Sequence, residues 1–379
     1  MRTLSRECFD SKWIREQSRS NHLGDVVLEK CLHAFELLGR LVEERLDFVF
    51  KRGTSLLLRL NHLQRISIDI DIVCNESPDK LVSVLNSCVT APFTKIEEDR
   101  RRHNRPPKRR HWNFHYTSFN PKNCPEPYVI LDVLEEDNVY PDVEPILIEV
   151  PFLIPDHEIR VRVPSTDNLL GDKLTTLAPE TIGQRYDEDH PDKIAKHLFD
   201  IGELFNEATS FASIRETYLK LYEAENGYRG GSFSMDDCLD DTINVSRLIS
   251  ELSVNPRLSG REASIIKAGI RNLSGHLIST RFNQTIAAVA AGKAALLATI
   301  IKFHVPGITW DHLRFGDSKI EELRGEQLTL FPELNKLSAI SPKHSTTGSL
   351  QNNLLKLNRN FERSEGLRVK PSEGLRVKP

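Results

Sequence analysis

Between residues 22 and 46 the apolar positions Leu28, Leu32, Phe35, Leu38 and Val42 recur every three or four residues, with charges between them. That spacing draws one apolar stripe along a helix, so the segment predicts an amphipathic helix. An apolar run (Phe48, Val49, Phe50) then leads into a Gly-Thr-Ser turn at Gly53, Thr54 and Ser55. A short leucine-rich segment follows, after which Ser67, Asp69 and Asp71 alternate with Ile66, Ile68, Ile70 and Ile72. A period of two predicts a strand with the isoleucines on one face and both carboxylates on the other. Pro78 and Asp79 open a further helix that runs to about Val89.

Runs of β-branched and aromatic residues predict strands at 93–98, 111–118, 128–134, 146–150 and 159–163. Asp167 is placed to cap a helix carrying Leu169, Leu170, Lys173, Leu174 and Leu177. Another helix extends from about Asp192 to Phe205. Past residue 208 the strand pattern stops. Segments 211–225, 236–252, 261–279, 284–303 and 318–328 read as helices separated by Gly, Pro, Ser and Asn. The expected class is α+β, with a mixed sheet and flanking helices over 1–207, a helical domain over 208–335 and a flexible tail over 336–379. The tail ends in two copies of SEGLRVKP, at 364–371 and 372–379. One short duplication is not a repeat array.

Composition narrows the classes. Hydrophobic residues at 39% and charged residues at 28% describe an ordinary globular chain. A net charge of −3 gives no general basic field, so any nucleic-acid contact has to come from a local patch. Cys8, Cys31, Cys74, Cys88, Cys124 and Cys238 form no Cys-x-x-Cys pair and no zinc-like spacing. They read as reduced core residues of a cytoplasmic protein. The first 19 residues have no apolar core of the kind a secretory leader carries. Ile286–Ile301, broken by Gly292 and Lys293, falls short of the roughly 20 residues a bilayer requires. A buried helix is expected there, and no membrane partner.

Chemistry concentrates between residues 53 and 71. A glycine followed by hydroxyl residues at a helix start offers N–H donors and a positive dipole end to a phosphate. A plain helix cap uses the same residues. Asp69 and Asp71, two apart on a strand, could share Mg²⁺ through hard oxygen ligands. Charges guarding an edge strand are the alternative. Asp132 in YVILDVL offers a further strand carboxylate, with Glu149 in ILIEV as its rival. The run Arg100–His111, rich in Arg and Lys, suits either RNA phosphates or a solvated loop. Trp112, Phe114, His115 and Tyr116 suit base stacking or an ordinary strand.

KRGTSL (Lys51–Leu56) followed by RISIDIDIV (Arg65–Val73) resembles the AbiEii/AbiGii-type nucleotidyltransferase toxins, within the superfamily built on a polymerase-β-like core. Arg52 stands where that pattern has the first glycine of a pair. GDKLTTL, with Lys173, and KHLFDIGEL, with Asp200, match two later segments of the family, although His197 replaces an aspartate of the second. The resemblance spans about residues 25–205. It implies an enzyme that transfers a nucleotide from an NTP to an acceptor, with RNA and the tRNA 3′ end foremost. Mg²⁺, with Mn²⁺ as substitute, would be the cofactor, and an antitoxin would be the protein partner in a phage-defence system.

By the same resemblance, Asp69, Asp71 and Asp132 hold metal, and Gly53, Thr54, Ser55 and Arg65 hold the nucleotide. Lys173 neutralises the leaving pyrophosphate, Asp200 positions Lys173 or a metal-bound group, and Asp69, Asp71, Lys173 and Asp200 surround one cleft. The alternatives are transfer to a protein or a small molecule, and a non-catalytic protein that only binds nucleotide or RNA.

Overall fold

The structure is a computed structural model that describes residues 2–61, 65–99, 107–122, 124–278, 280–304 and 309–313. Packing divides it into two compact units, each built from separated stretches of chain. The first comprises Met1–Asp172, Ala212–Gly230 and Asn272–Arg281; the second comprises Lys173–Phe211, Gly231–Arg271 and the chain from Phe282 onward. The division therefore follows packing, whereas the change of sequence pattern near residue 208 follows the end of strand formation. The tail, its duplication and the helix expected at 318–328 lie outside the described residues.

The first unit begins with α1 (Ser11–Ser20) and α2 (Asp25–Glu43), followed by β1 (Val49–Lys51), α3 (Arg52–Arg59), β2 (Ile70–Val73) and α4 (Pro78–Ser87). β3 (Phe93–Asp99), β4 (Arg109–Tyr116), β5 (Tyr128–Leu134), β6 (Val143–Leu147), β7 (Arg160–Pro164) and α5 (Thr166–Thr176) come next, α5 passing into the second unit from Lys173 onward. Five strands form one sheet in the order β1-β2-β5-β4-β3, and β6 pairs with β7 in a separate hairpin. β2 and β5 are parallel, while the other neighbours in the large sheet are antiparallel.

The alternation of side chains gives that sheet two unlike faces. Phe50, Ile70, Ile72, Leu131, Val133, Trp112 and Phe114 are at most 4% exposed and form the apolar face. Lys51, Asp71, Asp132 and His111 occupy successive register positions on the other. α2 lies against β5, and Leu28, Leu32, Phe35 and Leu38 of its predicted stripe are buried, with Val42 half-buried at its end. Its polar residues Glu36 and Arg40 are buried as well. The Glu36 carboxylate accepts from the Thr3 and Leu4 N–H groups, from the Thr3 hydroxyl and from Arg40, so the buried charge is fully answered.

Helix starts carry the expected chemistry, with one exception. Ser77 caps α4 with Pro78 at its first position. At α5, Asp167 lies inside the first turn, and it is Ser165 Oγ that accepts the Asn168 N–H at 3.2 Å. The smaller serine one step back from Thr166 is in reach of that N–H, which displaces Asp167 from the cap.

The second unit is helical. α6 (Asp192–Glu207), most of α9 (Arg261–Leu273), α8 (Met235–Val254), α10 (Gln284–Lys302) and α11 (Trp310–Leu313) lie in it, whereas α7 (Phe211–Gly227) belongs almost entirely to the first unit. α10 packs on α6 and α8. A Cβ on Gly202 would sit 3.0 Å from the Ala290 methyl, so glycine lets α6 and α10 approach closely. α10 is long and apolar enough to cross a membrane, yet 78% of its most apolar stretch is buried inside the protein.

Candidate active site

β1 runs into α3 without a loop: Lys51 is the N-cap and Gly53, Thr54 and Ser55 form the first helical turn. Arg52 makes the change of direction at φ +64°, in the left-handed region where a side chain costs roughly 1–2 kcal/mol. Close packing favours glycine at Gly53. A Cβ there would stand 2.9 Å from Ser67 Oγ and 3.0 Å from Arg65 Nη2. Arg65 thus lies against the turn, and its backbone bridges to Leu277.

Thr54 and Ser55 are fully buried. The Thr54 hydroxyl donates to the Asp69 carbonyl at 2.5 Å and the Ser55 hydroxyl donates to the Arg52 carbonyl at 2.7 Å. Their hydroxyls are thus engaged within the protein and tie α3 to the segment leading into β2; a helix start such as this one is where backbone N–H groups can take a phosphate.

That segment departs from the expected strand. β2 begins only at Ile70, Ile68 is half-buried, and Asp69 lies outside the ladder with its carbonyl held by Thr54. Residues 66–69 lie outside any strand, and Arg65 before them bridges to Leu277. The carboxylates that the sheet sets side by side are Asp71 and Asp132, direct partners across the parallel β2–β5 pair. Glu149, by contrast, is exposed beyond β6 and outside the large sheet.

Around this pair stand groups the motif reading did not single out. Arg52 Nη1 contacts Asp71 Oδ1 at 2.9 Å. His111, opposite Asp132 on β4, bonds its carboxylate through Nδ1. Tyr140 donates to Asp172 Oδ2 at 2.6 Å. Burial pushes the Asp71 carboxyl above its ordinary range; Arg52 opposes that push and Asp132 adds to it. Lys51, 6% exposed, is lowered to about 8 by burial and then by the Arg52 charge. Burial also works against the Arg52 cation, but the negative groups, Asp71, Asp172 and Asp132 among them, outweigh it and raise its pKa. The only sequence hints to these residues were adjacency: Lys51 and Arg52 precede the glycine, Asp172 precedes Lys173, and His111 closes the basic run.

Among the described residues no group of three or more His, Cys, Asp or Glu is set to hold a metal ion by itself. Two adjoining carboxylates beside a helix start do fit Mg²⁺, which commonly takes one or two carboxylates and completes its shell with water and substrate phosphate.

Lys173 and Asp200 belong to the second unit. Their side chains, 4% and 2% exposed, meet at 2.8 Å between Nζ and Oδ2, α5 supplying the lysine and α6 the aspartate. His197 is half-buried on the same helix as Asp200. Residues 100–106 of the basic run lie outside the described residues. Arg109–His111 are part of β4, where Arg110 pairs with Glu98 and lies over the Trp112 ring. Trp112, Phe114 and Tyr116 are at most 4% exposed, which makes them core residues rather than a stacking platform; half-buried His115 bonds Glu97.

Residues 36–290 match the family model described as "Nucleotidyl transferase AbiEii toxin, Type IV TA system". A solved structure titled "Crystal structure of JHP933 from Helicobacter pylori" is similar at 16% identity and a TM-score of 0.40, over 72% of this chain and 92% of that one. No curated protein matches. With a turn of the KRGTSL type feeding α3, Asp71 and Asp132 paired on one sheet face, and a family match over most of its length, the chain belongs to the AbiEii nucleotidyltransferase toxins of type IV toxin–antitoxin systems.

Proposed function

We propose that this nucleotidyltransferase transfers a nucleotide from an NTP to an RNA acceptor, the 3′ end of tRNA foremost, with Mg²⁺ as cofactor and Mn²⁺ as its substitute. The observation that carries the reading is the pairing of Asp71 with Asp132 beside the start of α3. In the transfer, an acceptor hydroxyl oxygen forms a bond to the α-phosphorus while the bond to the pyrophosphate oxygen breaks and pyrophosphate leaves.

A bound divalent cation supplies charge neutralisation on the triphosphate and acidifies the attacking hydroxyl. Asp71 and Asp132 would hold it, with Asp69 as the neighbouring carboxylate. The N–H groups of Gly53, Thr54 and Ser55 would take phosphate oxygens, and Lys51 and Arg52 would add fixed positive charge. His111, bonded to Asp132, fixes that carboxylate's orientation and gives the acceptor proton a route to solvent. The roles of Lys173, as countercharge to pyrophosphate, and of Asp200, as its orienting partner, rest on the family pattern. The basic run at 100–110 would supply the local RNA contact in a chain of net charge −3. Type IV membership brings an antitoxin partner; the same reading puts the toxin in the cytoplasm, in phage defence.

Purified protein incubated with Mg²⁺, each labelled NTP and total RNA tests this directly. Label should appear on RNA, and Asp71→Asn or Asp132→Asn should lower the rate by about 10²–10³-fold, the few kcal/mol that metal neutralisation supplies. Label on the protein itself would move the acceptor to a protein hydroxyl. No transfer with any NTP would refute the proposal.

A further inference from the structure

We infer that Arg52 is the resident counter-ion of the carboxylate pair, and that it competes with the divalent cation for Asp71. The inference rests on the metal reading above. Two observations carry it. Arg52 sits at φ +64°, a backbone conformation that favours glycine, so an arginine there is held against a local cost. Its Nη1 lies 2.9 Å from Asp71 Oδ1, on one of the two carboxylates that would hold the cation. The guanidinium already neutralises part of that carboxylate's charge, and its like charge repels a dication at this range. Binding of the metal is therefore opposed while Arg52 stays on Asp71, and favours departure of its side chain.

Where it goes follows from its position. Arg52 is the first residue of α3, immediately before the turn proposed to hold phosphate, and its side chain is a third exposed. A triphosphate gives the displaced guanidinium a new partner with the bidentate geometry it prefers. Nucleotide should then strengthen metal binding, and metal should strengthen nucleotide binding by the same factor. Without nucleotide, Arg52 keeps the carboxylates closed to cations.

Mn²⁺ binding, followed by electron paramagnetic resonance on the whole chain with and without a non-hydrolysable NTP analogue, tests this without measuring activity. Arg52→Gln removes the charge at the same backbone angle, and Arg52→Gly removes the charge and suits that angle. Both should bind Mn²⁺ about tenfold more tightly than the parent in the absence of nucleotide, from loss of one repelling charge near the site. They should show a smaller gain on adding the analogue, while Arg52→Lys should stay near the parent. If the parent binds Mn²⁺ through Asp71, as shown by loss on Asp71→Asn, and Arg52→Gln and Arg52→Gly leave the affinity unchanged, the competition is refuted and the metal site stands. If Asp71→Asn changes nothing in any background, the metal site itself is refuted and this inference with it.

Discussion

Replacing Asp200 with asparagine leaves the Lys173 ammonium in a protein interior without the full negative charge that answers it. The two side chains are 2% and 4% exposed and meet at 2.8 Å, so water cannot take over. Removing one member of a buried ion pair costs about 3–5 kcal/mol, most of it the desolvation of the remaining charge. At about 2–4 °C per kcal/mol for a unit of this size, the melting temperature should fall by roughly 6–20 °C. Lys173→Met should cost a similar amount, since it strands the carboxylate instead. The double variant Lys173→Met/Asp200→Asn buries no unmatched charge and should recover most of the loss, which requires a coupling energy of about 4 kcal/mol or more between the two substitutions. Urea denaturation of the four proteins closes this cycle. A coupling near zero, or single variants as stable as the parent, would refute a desolvated pair. The cycle also separates structure from chemistry. If Lys173 contacts the triphosphate, the stable double variant remains inactive; if the pair only holds α5 to α6, activity returns with stability.

Three further outcomes follow from other parts of the first unit. Gly53→Ala places a methyl 2.9 Å from Ser67 Oγ and 3.0 Å from Arg65 Nη2, both mobile ends of side chains. Stability should therefore fall by only about 1 kcal/mol, while KM for the NTP rises as the turn shifts; an unchanged KM would remove the turn from nucleotide binding. His33 is buried, stacked on Tyr116, and bonded through Nδ1 to the Glu29 carbonyl. Burial lowers its pKa from 6.5 to about 3. The unfolded chain therefore binds the extra proton first, and stability drains as pH falls from about 6.5 towards 3. His33→Phe should flatten that loss by about 3 kcal/mol between pH 7 and pH 4, read from urea midpoints, and an unaltered pH profile would contradict a neutral buried ring. Glu36→Gln removes the charge that holds Arg40 and the Thr3 and Leu4 N–H groups. It should cost about 3 kcal/mol or more by urea titration, and a neutral effect would deny the network its role in anchoring the N-terminal segment.

Much of this was determined by local sequence. Three- and four-residue spacing specified α2, runs of β-branched and aromatic residues located β3, β4 and β5, and Pro78-Asp79 marked the start of α4. Short-range geometry suffices for these, because side-chain direction along a helix or strand is set by the backbone itself. The KRGTSL turn and Asp71 were legible for the same reason. Tertiary structure decided what depends on partners distant in the chain. Asp71 found Asp132 rather than Asp69 as its neighbour, because strand register, not sequence spacing, brings carboxylates together. Ile68 and Asp69 lie outside the ladder, which begins at Ile70, while Arg65 bridges to Leu277. Trp112 and Tyr116 became core rather than surface through the face β4 presents. Arg52 reads in the sequence as one more basic residue beside a glycine. Only the folded chain, which bends it to φ +64° and sets Asp71 within 2.9 Å, makes it part of the site.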